Sequence, residues 1–172
     1  MDNQNKLNIG WYSFACCEDN TIMFAELLND YFFEFKLHFN FVDAPVLSSK
    51  RDQQSPLDIA FIEGAVNSPE YEEEVKQIRN RSKKVVAIGS CACTGMPSGY
   101  RNTFDSDQLQ EIKHITLKFN YLTQVKKLAD VIPVDAQVPG CPMDLIEFLK
   151  AVNGLLTQFN HQPIQLKKPT NN

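Results

Sequence analysis

Five cysteines mark the places in this 172-residue chain where chemistry is possible. Cys16 and Cys17 stand side by side in SFACCEDNT, Cys91 and Cys93 are one residue apart in GSCACTG, and Cys141 lies in VPGCP. A thiolate is a soft metal ligand and a nucleophile, so metal ligation and redox chemistry are both open. Adjacent cysteines are poorly placed to bridge each other, and an odd count leaves one thiol over in any pairing scheme. Free cysteine is also a common inert core residue, which is the plain alternative for any one of the five. Four converging thiolates would suit either zinc or an iron–sulfur cluster. Structural zinc sites draw on C-x(2–4)-C knuckles, whereas the spacings here are C-C, C-x-C and a lone cysteine. An iron–sulfur cube takes one thiolate at each corner and can be gripped by single cysteines from separate loops.

The elements that must position these thiols alternate between strand and helix. The run 7–14 (LNIGWYSF) reads as a strand, and 21–35 as a helix with Phe24, Leu27, Leu28, Tyr31 and Phe35 on one face. The alternating 37–42 (LHFNFV) reads as a second strand, followed by a polar loop. The apolar runs 57–62 (LDIAFI) and 85–88 (VVAI) read as strands buried on both faces. Between them Ser68 can cap a helix with Pro69 in its first turn. Glu70, Glu72 and Glu73 near the start of that helix, and Lys76, Arg79 and Arg81 near its end, complement its dipole. Helical turns are expected at 107–114 and 121–128. A fifth strand is expected at 130–134, at an edge because Pro133 lacks a ladder donor. A last helix over 142–159 carries the stripe Leu145, Phe148, Leu149, Val152, Leu155, Leu156 and Phe159.

This pattern predicts an α/β fold with a doubly wound, flavodoxin-like parallel sheet in a single domain over 1–160, and a loosely attached C-terminal tail over 161–172. It also gives the cysteines a common address. Cys16 and Cys17 follow the first strand, Cys91 and Cys93 the fourth, and Cys141 the fifth. The carboxyl ends of parallel strands share one edge, where open α/β sheets bind their ligands. Gly89 and Gly140 would let the backbone approach a bulky cofactor. Pro142, opening the last helix, would aim free N–H groups at the sulfurs.

Composition narrows the function classes. A net charge of −4 leaves no electrostatic footprint for nucleic acid. The start, MDNQNKLNIGWYSF, has no basic region followed by an apolar run, and no apolar stretch is long enough to span a bilayer. A cytoplasmic protein is expected, with no nucleic-acid partner and no direct membrane insertion. A reducing compartment disfavours structural disulfides.

The segments SFACCE, FIEGAV, AIGSCACTGMPSG and VPGCP, in this order, resemble the small subunits of nickel–iron hydrogenases and the homologous 20-kDa-type subunit of respiratory complex I. The resemblance runs from about residue 7 to 159. It implies a flavodoxin-like domain holding one 4Fe–4S cluster beside the active-site cavity of a larger subunit. Hydrogenase small subunits usually supply the first two ligands from C-x-x-C, but Phe14 and Asp19 occupy the positions such spacing would need. The tandem pair instead resembles the complex I subunit, where both neighbours ligate. Carried over by position, the ligands are Cys16, Cys17, Cys91 and Cys141, with Cys93 spare or substituting for Cys16 or Cys17.

On this resemblance the chain is expected to be the electron-transfer small subunit of a cytoplasmic nickel–iron hydrogenase, an oxidoreductase subunit not catalytic on its own. Its expected partners are a large subunit with the nickel–iron centre and a flavin or ferredoxin-like electron-transfer subunit. A complex I-like or membrane-hydrogenase 4Fe–4S subunit is the first alternative, and a zinc-stabilised interaction domain the second. Glu18, Glu63 and Arg101, with Asn102 beside it, are candidates for contacts around the cluster or with a partner. The plain reading of each is a solvated or hydrogen-bonded loop residue. Phe32 and Phe33 lie off the first helix's core stripe and could form an apolar patch. A flavin site is disfavoured because the loop after the first strand has two cysteines and no glycine.

Overall fold

In the computed structural model, residues 6–49 and 51–166 are described. The apolar runs form five parallel strands: β1 (Leu7–Ser13), β2 (Phe39–Asp43), β3 (Leu57–Glu63), β4 (Ser82–Ile88) and β5 (Ala136–Val138). Their order across the sheet is β2-β1-β3-β4-β5, the doubly wound, flavodoxin-like arrangement expected. β3 lies at the centre and is buried almost throughout, as its unbroken apolar run requires.

Two apolar layers hold the helices to the sheet. On one face α1 (Asp19–His38) and α5 (Leu145–Gln158) press Phe24, Phe35, Phe148 and Leu156 onto Ile9, Trp11, Ile59 and Phe61. Trp11 stacks on Phe24 with ring centroids 4.1 Å apart. On the other face α2 (Pro69–Asn80) packs Val75 and Ile78 against Tyr12, Ala60, Ile62 and Val85. Each such fully buried large side chain contributes about 1.5–3 kcal/mol relative to exposure. The Ser68 Oγ accepts from the Tyr71 amide at 3.2 Å, so the anticipated cap of α2 forms.

Several boundaries differ from the sequence reading. α1 continues to His38 and β2 begins at Phe39, because Leu37 faces solvent while Phe39 pairs with Leu7. The stretch 107–114 is part of a longer helix, α4 (Ser106–Lys118), started by a capping box between Asp105 and Gln108. The expected helix at 121–128 does not form; there Lys126 and Val66 exchange backbone hydrogen bonds. The fifth strand is not at 130–134. Leu128–Asp130 is a 3₁₀ turn, Leu128 and Ile132 drop their side chains into the α2-side core, and the edge strand starts at Ala136. Asp135 sets that start, since its carboxylate and amide both bond the backbone of Val85. The last helix begins at Leu145, capped by Asp144, and not at Pro142. A short helix that the sequence reading omits, α3 (Gly89–Thr94), follows β4 directly.

Within the C-terminal segment, Ile164 is buried and Asn153 bonds both its carbonyl and its amide, so residues 161–166 pack on α5. The rest of the expected tail lies outside the described residues. Among the described residues no helix is long and apolar enough to cross a membrane.

Gly64 fixes how the β1 loop meets the end of β3. Its φ is +88°, and an added Cβ would lie 2.7 Å from the Phe14 carbonyl carbon and 2.9 Å from the Ala15 nitrogen. Those are backbone atoms, which cannot swing aside. Gly64→Ala should cost about 2–3 kcal/mol through strain and steric clash, read as a fall in the thermal midpoint.

Candidate metal centre

The cysteine-bearing loops are stitched together along the carboxyl edge of the sheet. After β1, the Phe14 and Ala15 amides donate to the carbonyls of Glu63 and Ala65, and the Ala65 amide returns a bond to Ala15. After β4, the Ser90 amide donates to the Gly140 carbonyl at 2.7 Å, joining the Cys91 helix to the Cys141 turn. The five thiols are free. Cys91 is 7 % exposed and packs with Ala65, Val125 and the half-buried Cys16 in one small cluster. Cys17 and Cys141 are exposed. Cys93 points elsewhere, into the α2-side core, with its Sγ 3.6 Å from the Ala87 carbonyl.

The protein environment does not favour bare thiolates here. Burial, then the nearby Glu63 carboxylate, pushes the Cys16 thiol up to about 12. Burial alone raises Cys93 to about 11. A metal cation reverses that preference by drawing off the proton and neutralising the sulfur's charge. Among the described residues no three His, Cys, Asp or Glu side chains are close enough to hold a single ion. The thiols come from three separate loops, after β1, β4 and β5, rather than from paired C-x(2–4)-C knuckles. An iron–sulfur cube takes one thiolate at each corner and accepts ligands delivered singly in this way. The donor set fits that group better than a single ion.

The other sequence candidates fall into place differently. Glu63 is fully buried at the end of β3. Its Oε1 accepts from Ser13 Oγ at 2.7 Å and from Thr21 Oγ1, and its Oε2 accepts from Asn20 Nδ2 at 3.0 Å. Glu18 is exposed, with a left-handed backbone; its side chain makes no capping bond to α1, while its carbonyl accepts from the Ile22 amide. Arg101 spans the backbone, donating to the carbonyls of Leu122 (2.8 Å) and Asn67 (3.4 Å) over the Tyr121 ring. Asn102 bonds both the amide and the carbonyl of Val125. Both residues thus brace the 121–126 segment behind Ala65, and neither is bonded to a sulfur. His38 and His161 contact each other. Phe32 and Phe33 are exposed, the latter 80 %.

The corrected start of α5 removes one expected feature, since Pro142 lies in a turn and aims no helix terminus at a sulfur. Two polar residues were not singled out from the sequence. Ser98 Oγ lies 3.2 Å from Cys91 Sγ and donates to the Ala15 carbonyl at 2.7 Å, tying the Cys91 and Cys16 segments together. Asn20 accepts from the Met143 amide at 2.8 Å, two residues beyond Cys141. Neither belongs to a recognisable spacing, so only the folded geometry reveals them. A cleft of about 500 Å³ opens beside Cys16 and Ser98, lined by Phe14, Tyr71, Phe119 and Tyr121.

Accessibility and proton affinity set an order of reactivity for the metal-free chain. Near neutral pH iodoacetamide should label Cys17 and Cys141 first, with Cys16 and Cys93 following only as the solution becomes strongly alkaline. Peptide mapping by mass spectrometry checks this; equal labelling of Cys16 and Cys17 would contradict it. The same shift has a linked effect on stability. The unfolded Cys16 thiol ionises near 9 and the folded one near 12. Over that window the unfolded chain holds fewer protons, so the metal-free fold loses stability as pH rises.

Residues 16–155 match the family model described as NADH ubiquinone oxidoreductase, 20 Kd subunit. The chain is 30% identical over 171 residues to a subunit of the F420-non-reducing hydrogenase of Methanothermobacter thermautotrophicus, covering 88% of this chain and 54% of that protein. It is 28% identical over 173 residues to the gamma subunit of the coenzyme F420 hydrogenase of Methanosarcina barkeri, covering 94% and 60%. The chain thus spans about half the length of such relatives. Its fold is similar to a chain of NAD+-reducing [NiFe]-hydrogenase in the H2-reduced state, with TM-score 0.74 and 22% identity over 98% of this chain and 99% of that one. It is also similar to a chain of the Ni-Fe-Se hydrogenase from Desulfomicrobium baculatum, with TM-score 0.62 and 14% identity over 95% and 68%. Sheet order, cysteine placement and family match agree: the chain belongs to the NADH ubiquinone oxidoreductase 20 kDa subunit family.

Proposed function

We propose that this chain is the electron-transfer small subunit of a nickel–iron hydrogenase, holding one 4Fe–4S cluster through Cys16, Cys17, Cys91 and Cys141. The observation that carries the reading is the delivery of thiols from the ends of β1, β4 and β5 to one interlocked edge, with Cys16 packed against Cys91. Relatives named as hydrogenase subunits support the choice of complex. When bound, the cluster supplies one-electron transfer.

The chain's own residues bind and tune. Cys91 and Cys16 hold the inner side against apolar surface, the Ser98 hydroxyl lies 3.2 Å from the Cys91 sulfur, and the buried Glu63 places negative charge near the site. Burial, charge and hydrogen bonds to sulfur are the levers that set such a potential. The exposed Cys17 and Cys141 face outward, and exposed Phe119 and Tyr121 line the cleft beside Cys16. That side suits a large subunit carrying the nickel–iron centre. A flavin or ferredoxin-like subunit would exchange electrons with it, and the free thiols suit a cytoplasmic complex.

A second reading, a complex I-like or membrane-hydrogenase subunit, draws on the adjacent Cys16-Cys17 and the family match. Hydrogen-dependent dye reduction by a soluble copurified complex would favour the first reading over it. The zinc-stabilised alternative has the lack of paired C-x(2–4)-C knuckles against it.

The ligand set makes a sharp prediction for anaerobically purified protein. Cys91→Ser and Cys141→Ser should abolish bound iron and acid-labile sulfide. Cys93→Ser should leave both intact, since its sulfur is committed to the opposite core. Loss of the cluster in Cys93→Ser with retention in Cys16→Ser would overturn the assignment.

A further inference from the structure

Asn20 touches all three cysteine-bearing segments at once. It stands in the first turn of α1, three residues beyond Cys17, and is only 6 % exposed. Its Oδ1 accepts from the Met143 amide at 2.8 Å, which holds the turn containing Cys141. Its amide group also lies against Gly89, two residues before Cys91, where an added Cβ would collide with Asn20 Nδ2. The glycine is what lets the amide sit so close to that backbone.

The orientation of this amide is dictated by its partners. The Trp11 indole can only donate, and it donates to Thr21 Oγ1 at 2.7 Å. Thr21 therefore gives its own proton to Glu63 Oε1, as Ser13 does. Glu63 Oε2 is left as an acceptor, so Asn20 must present its NH₂ to Glu63 and its oxygen to Met143. Turning the amide over would put oxygen against oxygen on one side and nitrogen against N–H on the other. Buried bonds of this kind, one to a charged group, are among the stronger and costlier to break.

We infer that Asn20, clamped by Glu63, is the positioning residue that fixes the spacing of the Cys17, Cys91 and Cys141 segments around the cluster. This rests on the cluster reading given under Proposed function. The pair can be tested by exchanging donor and acceptor. Asn20→Asp sets two carboxylates against each other. Glu63→Gln alone is mild, because the new amide can turn its oxygen to Asn20 and its NH₂ to the Ser13 and Thr21 hydroxyls. Combining the two substitutions restores complementarity. The new amide at position 63 would donate to the new carboxylate at position 20, while its oxygen still receives Ser13 and Thr21. That carboxylate would still accept from the Met143 amide.

The full chain, coexpressed with the subunits it binds and purified anaerobically, is measured for iron and sulfide content, for the rate of iron loss to a chelator, and for the electron paramagnetic resonance spectrum of the reduced cluster. Circular dichroism reports whether each variant folds. The Asn20→Asp variant should lose iron about tenfold faster than wild type and show shifted g-values, and adding Glu63→Gln to it should return both close to wild type. Unchanged iron loss and spectra in Asn20→Asp would overturn the inference and leave the cluster reading standing. A double variant as impaired as Asn20→Asp, or as poorly folded, would overturn it too. A wild-type chain free of iron and sulfide would sink the cluster reading, and the inference with it.

Discussion

A carboxylate taken fully out of water must find donors, or its desolvation would cost the fold several kcal/mol. Glu63, the last residue of β3, is that carboxylate, and its donors come from Ser13, Asn20 and Thr21. Meeting the requirement obliges the chain to leave β1 and enter α1 within a few residues, directly above the end of the central strand. The tandem cysteines ride on that forced connection. Their location is thus set by a buried charge that belongs to no cysteine motif, and the Asn20 bond extends the same constraint to the Cys141 turn.

The sheet order supplies the rest of the geometry. With β3 central, β1 and β4 flank it, and the loops after these two strands meet over its end at Ala65. β5 is short and peripheral, yet the bonds of Asp135 to Val85 and of Gly140 to Ser90 bring Cys141 to the same edge. The result is a site with one wall in the protein core and one side open. Such asymmetry suits a cofactor that must be insulated from water behind and reachable by a partner in front.

How much of this was legible in the sequence depended on whether the signal was local. The buried strands were written in unbroken apolar runs such as LDIAFI, and α2 in its cap and charge order around Ser68 and Pro69. The five thiols announce themselves by type, and their strand-end placement does not depend on exact strand bounds: β5 is Ala136–Val138 and not 130–134, yet Cys141 still follows it. What was illegible was tertiary. Leu128 and Ile132 look like strand residues because they are apolar, but they serve as plugs for the α2-side core. Pro142 looks like a helix start, but Asp144 holds the cap. Asn20 and Ser98 carry no pattern at all; their roles exist only when distant segments close on them.

The central claim is that these loops hold an iron–sulfur cube, and a Mössbauer spectrum of iron-57-labelled, anaerobically purified protein tests it most directly. A cluster held by these thiols gives the quadrupole doublets of a 4Fe–4S centre, turning paramagnetic on one-electron reduction. Iron-free protein containing only zinc, or iron held as isolated ions, would contradict it.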